Sequence, residues 1–178
     1  MTSRPHLLCI SGSVRQASTN TTLLRAIAAQ CADLAHFSFA AIGALPIFNP
    51  DLEGERTPQI VQRFAASVAA ADALLCAVPE YAHGIPGGLK NALDWLVSRA
   101  EFPDKPIVMV HANGRGEHVR PALAEVLRTM SGRVVSEDGL TLHLMGKSGD
   151  ELQALLAADA RADMRRMMQA LLAEIARP

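Results

Sequence analysis

Short apolar runs alternate along the whole chain with longer stretches in which apolar residues recur every three or four positions. The first pattern suits a buried strand and the second a helix with one buried face. His6–Ile10 is the first predicted strand and Asn20–Cys31 the first helix. His36–Ala40 predicts a second strand, and the proline-punctuated segment Leu45–Asp51 an ordered loop. Thr57-Pro58 predicts a helix start, with Thr57 as N-cap and Pro58 at the first helical position. Ile60, Val61, Phe64 and Val68 share one face of that helix. Asp72–Val78 reads as a third strand, ended by Pro79. Its near-continuous apolar character predicts burial on both faces, as in a parallel sheet.

Pro86 opens the next predicted helix, with Leu89, Leu93, Leu96 and Val97 as its apolar stripe. Pro106–Val110 is the fourth strand, Asn113–Gly116 a turn and Pro121–Met130 a helix stopped by Gly132. Arg133–Val135 begins a short fifth strand; Leu140–Leu144 either extends it or forms a separate extended segment. Ser148 and Glu151 make a capping-box pattern before the final helix. Five strand–helix units in series predict a doubly wound α/β sheet with right-handed crossovers, in one domain over residues 1–178. Ligands in such sheets bind beyond the carboxyl ends of the strands. The polar or glycine-rich loops after the first, third and fourth strands are therefore the candidate site.

Composition narrows the classes. The formal net charge of -1 argues against bulk nucleic-acid affinity. No apolar block is long enough to span a membrane. Met1-Thr2-Ser3-Arg4-Pro5 leads straight into a strand rather than a secretion signal, so a cytoplasmic location is expected. Cys9, Cys31 and Cys76 are odd in number and widely spaced, which predicts reduced core thiols rather than a disulfide or metal framework.

The first loop, Ile10–Asn20, joins a strand to a helix N-terminus, where free N–H groups and the dipole favour an anion. Ser11, Ser13, Ser18, Thr19, Asn20, Thr21 and Thr22 add donors and Arg15 adds a fixed charge. The loop is neither a Walker A sequence nor a G-x-G-x-x-G fingerprint. Its hydroxyls and single arginine suit a terminal monophosphate; a polar loop before an N-capped helix is the plainer alternative. In the second loop, Pro79–Asn91, Tyr81 and the glycines 84, 87 and 88 suit the close approach of a flat ligand. A surface turn with a proline-opened helix is the plainer alternative there. Leu89 and Trp95 read as core, and Lys90 with Asp94 as a surface pair. The third loop, His111–His118, is placed to close over the same ligand. Neither His111 nor His118 has an acid or cysteine partner at metal-ligand spacing. Ser11-Gly12-Ser13 lacks the G-x-S-x-G elbow of a serine nucleophile.

Two motifs taken together resemble a known family. Gly12-Ser13-x-Arg15-x-x-Ser18-x-Asn20, followed by Leu23, resembles the phosphate loop of the NADPH-dependent FMN reductases. Pro79-Glu80-Tyr81, then Pro86-Gly87-x-Leu89-Lys90-Asn91-Ala92-Leu93-Asp94-Trp95, is similar to their second signature. The resemblance implies a flavodoxin-like five-stranded parallel sheet of order 2-1-3-4-5, with helices on both faces. It implies FMN as cofactor, NADPH or NADH as reductant, and a small electron acceptor such as a quinone, free flavin, azo compound or metal oxyanion. Ser11, Ser13, Arg15, Ser18 and Asn20 would hold the FMN phosphate. Pro79, Glu80, Tyr81, Ala82, His83 and Gly84 would line the isoalloxazine ring, with Asn113 and Gly114 from the third loop.

No side chain need act as acid or base, because the chemistry belongs to the flavin. A homodimer or homotetramer is implied, with Leu45–Asp51 and the methionines 164, 167 and 168 as apolar surface; ordinary core is the plainer alternative for methionines at helical spacing. The chain departs from the family pattern at Ala82, where asparagine is common, and across Asn113 and Gly114-Arg115-Gly116. The same fold also serves electron carriers without NAD(P)H turnover and flavin-free interaction proteins. The near-neutral charge argues against a carrier, and Ala82 leaves the flavin-free reading open.

Overall fold

A computed structural model describes residues 4–177. Met1, Thr2 and Ser3, at the start of the expected leaderless N-terminus, lie outside the described residues. Five parallel strands form one sheet in the order β2-β1-β3-β4-β5. They are β1 (His6–Ser11), β2 (His36–Ala40), β3 (Ala73–Ala77), β4 (Pro106–His111) and β5 (Arg133–Thr141). The apolar runs of β3 and β4 occupy interior positions and every residue in them is buried. The edge strand β2 has no buried residue, consistent with its mixed composition.

Successive side chains along a strand point to opposite faces, and this alternation builds two cores. Leu8, Ile10, Leu74, Cys76, Ile107 and Met109 face one helical layer, formed by α2 (Gln59–Ala69), α3 (Gly87–Asp94) and α4 (Val119–Thr129). Leu7, Cys9, Leu75, Ala77, Val108 and Val110 face the other layer, where α1 (Thr19–Gln30) packs with α6 (Arg161–Ile175). Leu89 and Trp95 are each 1% exposed, as their spacing predicted. Lys90 and Asp94 form the expected i, i+4 ion pair. Cys9, Cys31 and Cys76 are free and buried. Burial pushes the Cys9 and Cys76 thiols up to about 12, which makes them poor nucleophiles.

The expected fifth strand is longer than Val135. β5 runs to Thr141, and the pairing continues as Leu142 and Leu144 donate to the carbonyls of His111 and Ala112. Its register against β4 slips twice, once between Ile107 and Val108 and again between Val108 and Val110. There β5 passes so close to β4 that a Cβ at Gly139 would lie 2.2 Å from Val108 Cγ1. Only glycine allows that approach.

Several local expectations fail. Pro58, at φ -57° and ψ 140°, is extended and is itself the cap of α2; the Thr57 hydroxyl turns back to donate to the Gly54 carbonyl at 2.8 Å. Val97 is 62% exposed because α3 ends at Asp94, so helical spacing no longer applies to it. Ser148 caps α5 (Gly149–Ala154) by position, but its side chain makes no cap bond, and the Glu151 carboxylate pairs with Lys147 instead. The final helix is broken into α5, a π-helical turn over Leu155–Asp159, and α6. Met164, Met167 and Met168 on α6 are buried in this chain's own core, so they offer no surface to a partner. No helix among the described residues is long and apolar enough to cross a membrane.

Candidate functional site

The sheet delivers the loops after β1, β3, β4 and β5 to one end, where they enclose a cleft of about 640 Å3. That lies within the usual ~300–1,000 Å3 of small-molecule sites. The polar floor comes from the first loop. Ser18 caps α1, its Oγ accepting from the Thr21 N–H at 3.3 Å. Ser13, Ser18 and Asn20 are between 5% and 8% exposed, while Arg15, in the same cleft lining, is exposed. Asn20 Oδ1 is buried and has no hydrogen-bond partner among the described residues. Turning that amide over presents its NH2 group instead, a choice that a ligand decides. A buried amide left unpaired at a helix N-terminus, among buried hydroxyls and beside a free arginine, fits a phosphate.

Ser11 is placed differently. Its Oγ accepts from Thr21 Oγ1 at 3.0 Å and bonds within the loop to the main chain of Ser13. It lines a neighbouring cavity beside Arg25 and Phe39 rather than the cleft. The hydroxyl braces the first loop from within.

Pro79, Glu80, Tyr81, Ala82 and His83 form the next wall. Tyr81 and Gly84 close a two-residue turn, the Gly84 N–H donating to the Tyr81 carbonyl at 2.9 Å. Gly84 shapes this turn but does not line the cleft. Ala82 (φ 48°) and His83 (φ 55°) are both left-handed, a conformation costing a non-glycine residue about 1–2 kcal/mol. Asparagine tolerates it better than alanine. An Ala82→Asn variant is therefore expected to gain about 0.5–1 kcal/mol, raising Tm by roughly 1–4 °C in a thermal melt. A lower Tm would rule out the left-handed turn.

Glu80 contributes backbone to this wall, but its carboxylate serves another purpose. Oε2 accepts from the His118 and Val119 N–H groups, each at 3.0 Å, and so caps α4. The Val119 bond, aided by that of His118, lowers its pKa against some desolvation. A carboxyl with a lowered native pKa stabilises this link fully above the ordinary glutamate range. The link is lost as pH falls through the lowered value. Protection of the His118 and Val119 amides in hydrogen exchange should fall across that acidic window. Glu80→Gln should abolish the pH dependence; unchanged protection profiles would show that the cap does not form. The His83 and His118 rings also stack, with centroids 4.1 Å apart.

The third loop supplies Asn113 and Arg115 to the cleft. Gly114 does not line it, because it packs on the His143 ring. His111 is buried, with Nε2 donating to the Glu137 carbonyl at 2.7 Å, and desolvation lowers its pKa. Among the described residues no group of three His, Cys, Asp or Glu side chains is arranged to hold a metal. A fourth wall, Leu144–Lys147, lies after β5, outside the three loops that the sequence pattern points to. Only the rule that every carboxyl strand end borders the ligand crevice would have found it.

The second signature has a further structural role. Asn91 Nδ2 donates to the Pro46 carbonyl at 2.9 Å, and Asn91 Oδ1 accepts from the Phe48 N–H at 2.7 Å. Trp95 Nε1 donates to the same Pro46 carbonyl at 2.8 Å, and its ring meets Phe48 edge-on at 5.1 Å. These residues hold the Leu45–Asp51 segment.

Comparison with known proteins agrees with this architecture. The NAD(P)H-dependent FMN reductase of Pseudomonas aeruginosa is 37% identical over 109 residues, covering 60% of this chain and 59% of that protein. Probable NADPH:quinone oxidoreductase 2 of Oryza sativa subsp. japonica is 46% identical over 110 residues, covering 59% of this chain and 54% of its own. These alignments span about half the length of the curated relatives. The flavoenzyme NAD(P)H:(acceptor) oxidoreductase FerB of Paracoccus denitrificans shares the fold, with TM-score 0.74 at 20% identity over 96% of this chain and 98% of that one. Residues 5–144 match the model of the NADPH-dependent FMN reductases, and the chain belongs to that family.

Proposed function

We propose that the chain is an FMN-dependent NAD(P)H oxidoreductase that passes electrons to a small acceptor, of which a quinone is the leading class. The observation that carries this reading is the single cleft joining a buried hydroxyl-and-amide floor at the α1 N-terminus to the left-handed turn at Tyr81–Gly84. The names of the FMN and quinone reductases among its relatives support the same chemistry. Bound FMN would supply the redox step, accepting hydride from NAD(P)H at N5 and giving an electron pair to the acceptor.

The protein's part is binding and orientation. Ser13, Ser18, Asn20 and Arg15 would hold the phosphate, assisted by the positive end of α1. Pro79, Tyr81, Ala82 and His83 would flank the ring, and Asn113 would border it from the third loop. The backbone N–H groups of Ala82 and His83, which the turn's own Tyr81–Gly84 bonds do not use, would stabilise negative charge at the ring edge. Glu80 is engaged with α4 and takes no acid–base role. We take residues 1–178 as one domain of a cytoplasmic homodimer or homotetramer. Ile47, 86% exposed, offers that assembly an apolar contact on the Leu45–Asp51 segment.

Anaerobic addition of NADPH or NADH to the FMN-loaded protein tests the reading. Bleaching of the flavin followed by recolouring with a quinone is expected. Bound flavin left unbleached would instead mark an electron carrier. A protein that takes up no FMN would mark a flavin-free binding module.

A further inference from the structure

The cleft holds more positive charge than a flavin phosphate uses. Arg15 belongs to the phosphate loop, but Arg115 and Lys147 line the same cleft from the loops after β4 and β5. The strand order places those loops across β3 from the phosphate loop. One terminal phosphate at the α1 N-terminus therefore engages Arg15 and leaves the other two cations unused. No ion pair among the described residues involves Arg115. Lys147 pairs only with Glu151, which leaves ammonium N–H groups for another acceptor. Glu80, the acidic residue in the cleft lining, is bonded to the α4 amides and forms no ion pair with either among the described residues.

Arg115 also sits on a braced loop. Asn113 Oδ1 accepts from the Arg115 N–H at 2.9 Å. Gly114 lies so tightly on His143 that a Cβ there would come within 2.5 Å of the ring. In the lining of the same cleft, Met145 (57% exposed) and Tyr81 (50% exposed) offer apolar surface to a planar group.

We propose that Arg115 and Lys147 form a second phosphate subsite, which binds the 2′-phosphate of the reductant and selects NADPH over NADH. This rests on the FMN oxidoreductase reading above. The two dinucleotides differ only in that phosphate, so discrimination has to come from groups that bind it. A guanidinium fork matches a phosphate with two parallel bonds, and a nearby ammonium adds a point charge. Arg115 is thus a specificity-determining residue rather than a catalytic one.

Titration of the FMN-loaded protein with 2′,5′-ADP and with 5′-AMP tests the subsite directly, because these probes differ only in the 2′-phosphate. The 2′-phosphate is expected to tighten binding about tenfold or more, the ordinary worth of a charge-assisted contact. Arg115→Gln should remove most of that gain, and Arg115→Lys should restore part of it. The ratio of kcat/KM for NADPH to that for NADH should fall about tenfold in Arg115→Gln, and Lys147→Gln should shift it the same way. Equal loss for both probes, or an unchanged ratio, overturns the proposal. So does an effect confined to a sulfonated naphthoquinone acceptor compared with a neutral one, since the cations would then serve the acceptor. If the wild-type protein quenches no FMN fluorescence, the FMN reading fails by itself. The probe titration on flavin-free protein then still decides the phosphate subsite.

Discussion

An Arg15→Ala variant is expected to bind FMN about 10–150-fold more weakly than the parent, corresponding to about 1.5–3 kcal/mol for a charge-assisted contact to a phosphate. Arg15 is the only cation on the phosphate loop, and it takes part in no ion pair among the described residues. The substitution therefore removes a ligand contact without breaking an internal one. Ser13, Ser18 and Asn20 are buried within the loop and should keep it folded. The loss should appear as faster flavin release with little change in melting temperature of the flavin-free protein. Fluorescence titration measures the affinity. Equal affinity in both proteins would place the phosphate elsewhere.

The largest stability effect is expected at Trp95. Truncation to alanine should cost about 3–5 kcal/mol, the usual cost of emptying a buried tryptophan site. In a domain of this size that lowers Tm by roughly 6–20 °C. The indole is 1% exposed, donates to the Pro46 carbonyl at 2.8 Å and packs edge-on against Phe48. Its removal thus leaves a cavity and takes one of two donors from the Pro46 carbonyl, which keeps Asn91 Nδ2. Trp95→Phe keeps most of the packing and should cost only part as much. A melt showing Trp95→Ala within a degree or two of the parent would mean that this core closes over the gap.

The sheet was legible because β3 and β4 are buried on both faces, which forces uninterrupted apolar runs such as Ala73–Ala77. The polar floor of the cleft was legible for the converse reason. Ser13, Ser18 and Asn20 lie between a strand and a helix, where polar side chains serve capping or a ligand. Other features depended on contacts between residues distant in sequence. The Ser11 hydroxyl is turned away by Thr21, and the Glu80 carboxylate is captured by amides of α4. Nothing local in either residue signals that outcome. Leu144–Lys147 carries no motif and enters the cleft only because β5 extends past its short apolar start. The capping box at Ser148 and Glu151 failed because Lys147, one residue outside the pattern, competes for the same carboxylate.

Asn91 has a consequence for engineering. Its amide reads the main chain at positions 46 and 48, so a residue of the flavin signature is spent on holding a remote loop. The signature is therefore not a portable cassette. Grafted into another scaffold without its Pro46–Phe48 counterpart, it would carry an orphaned amide and an indole with no acceptor. Successful transplants of this motif should be those that move both segments together.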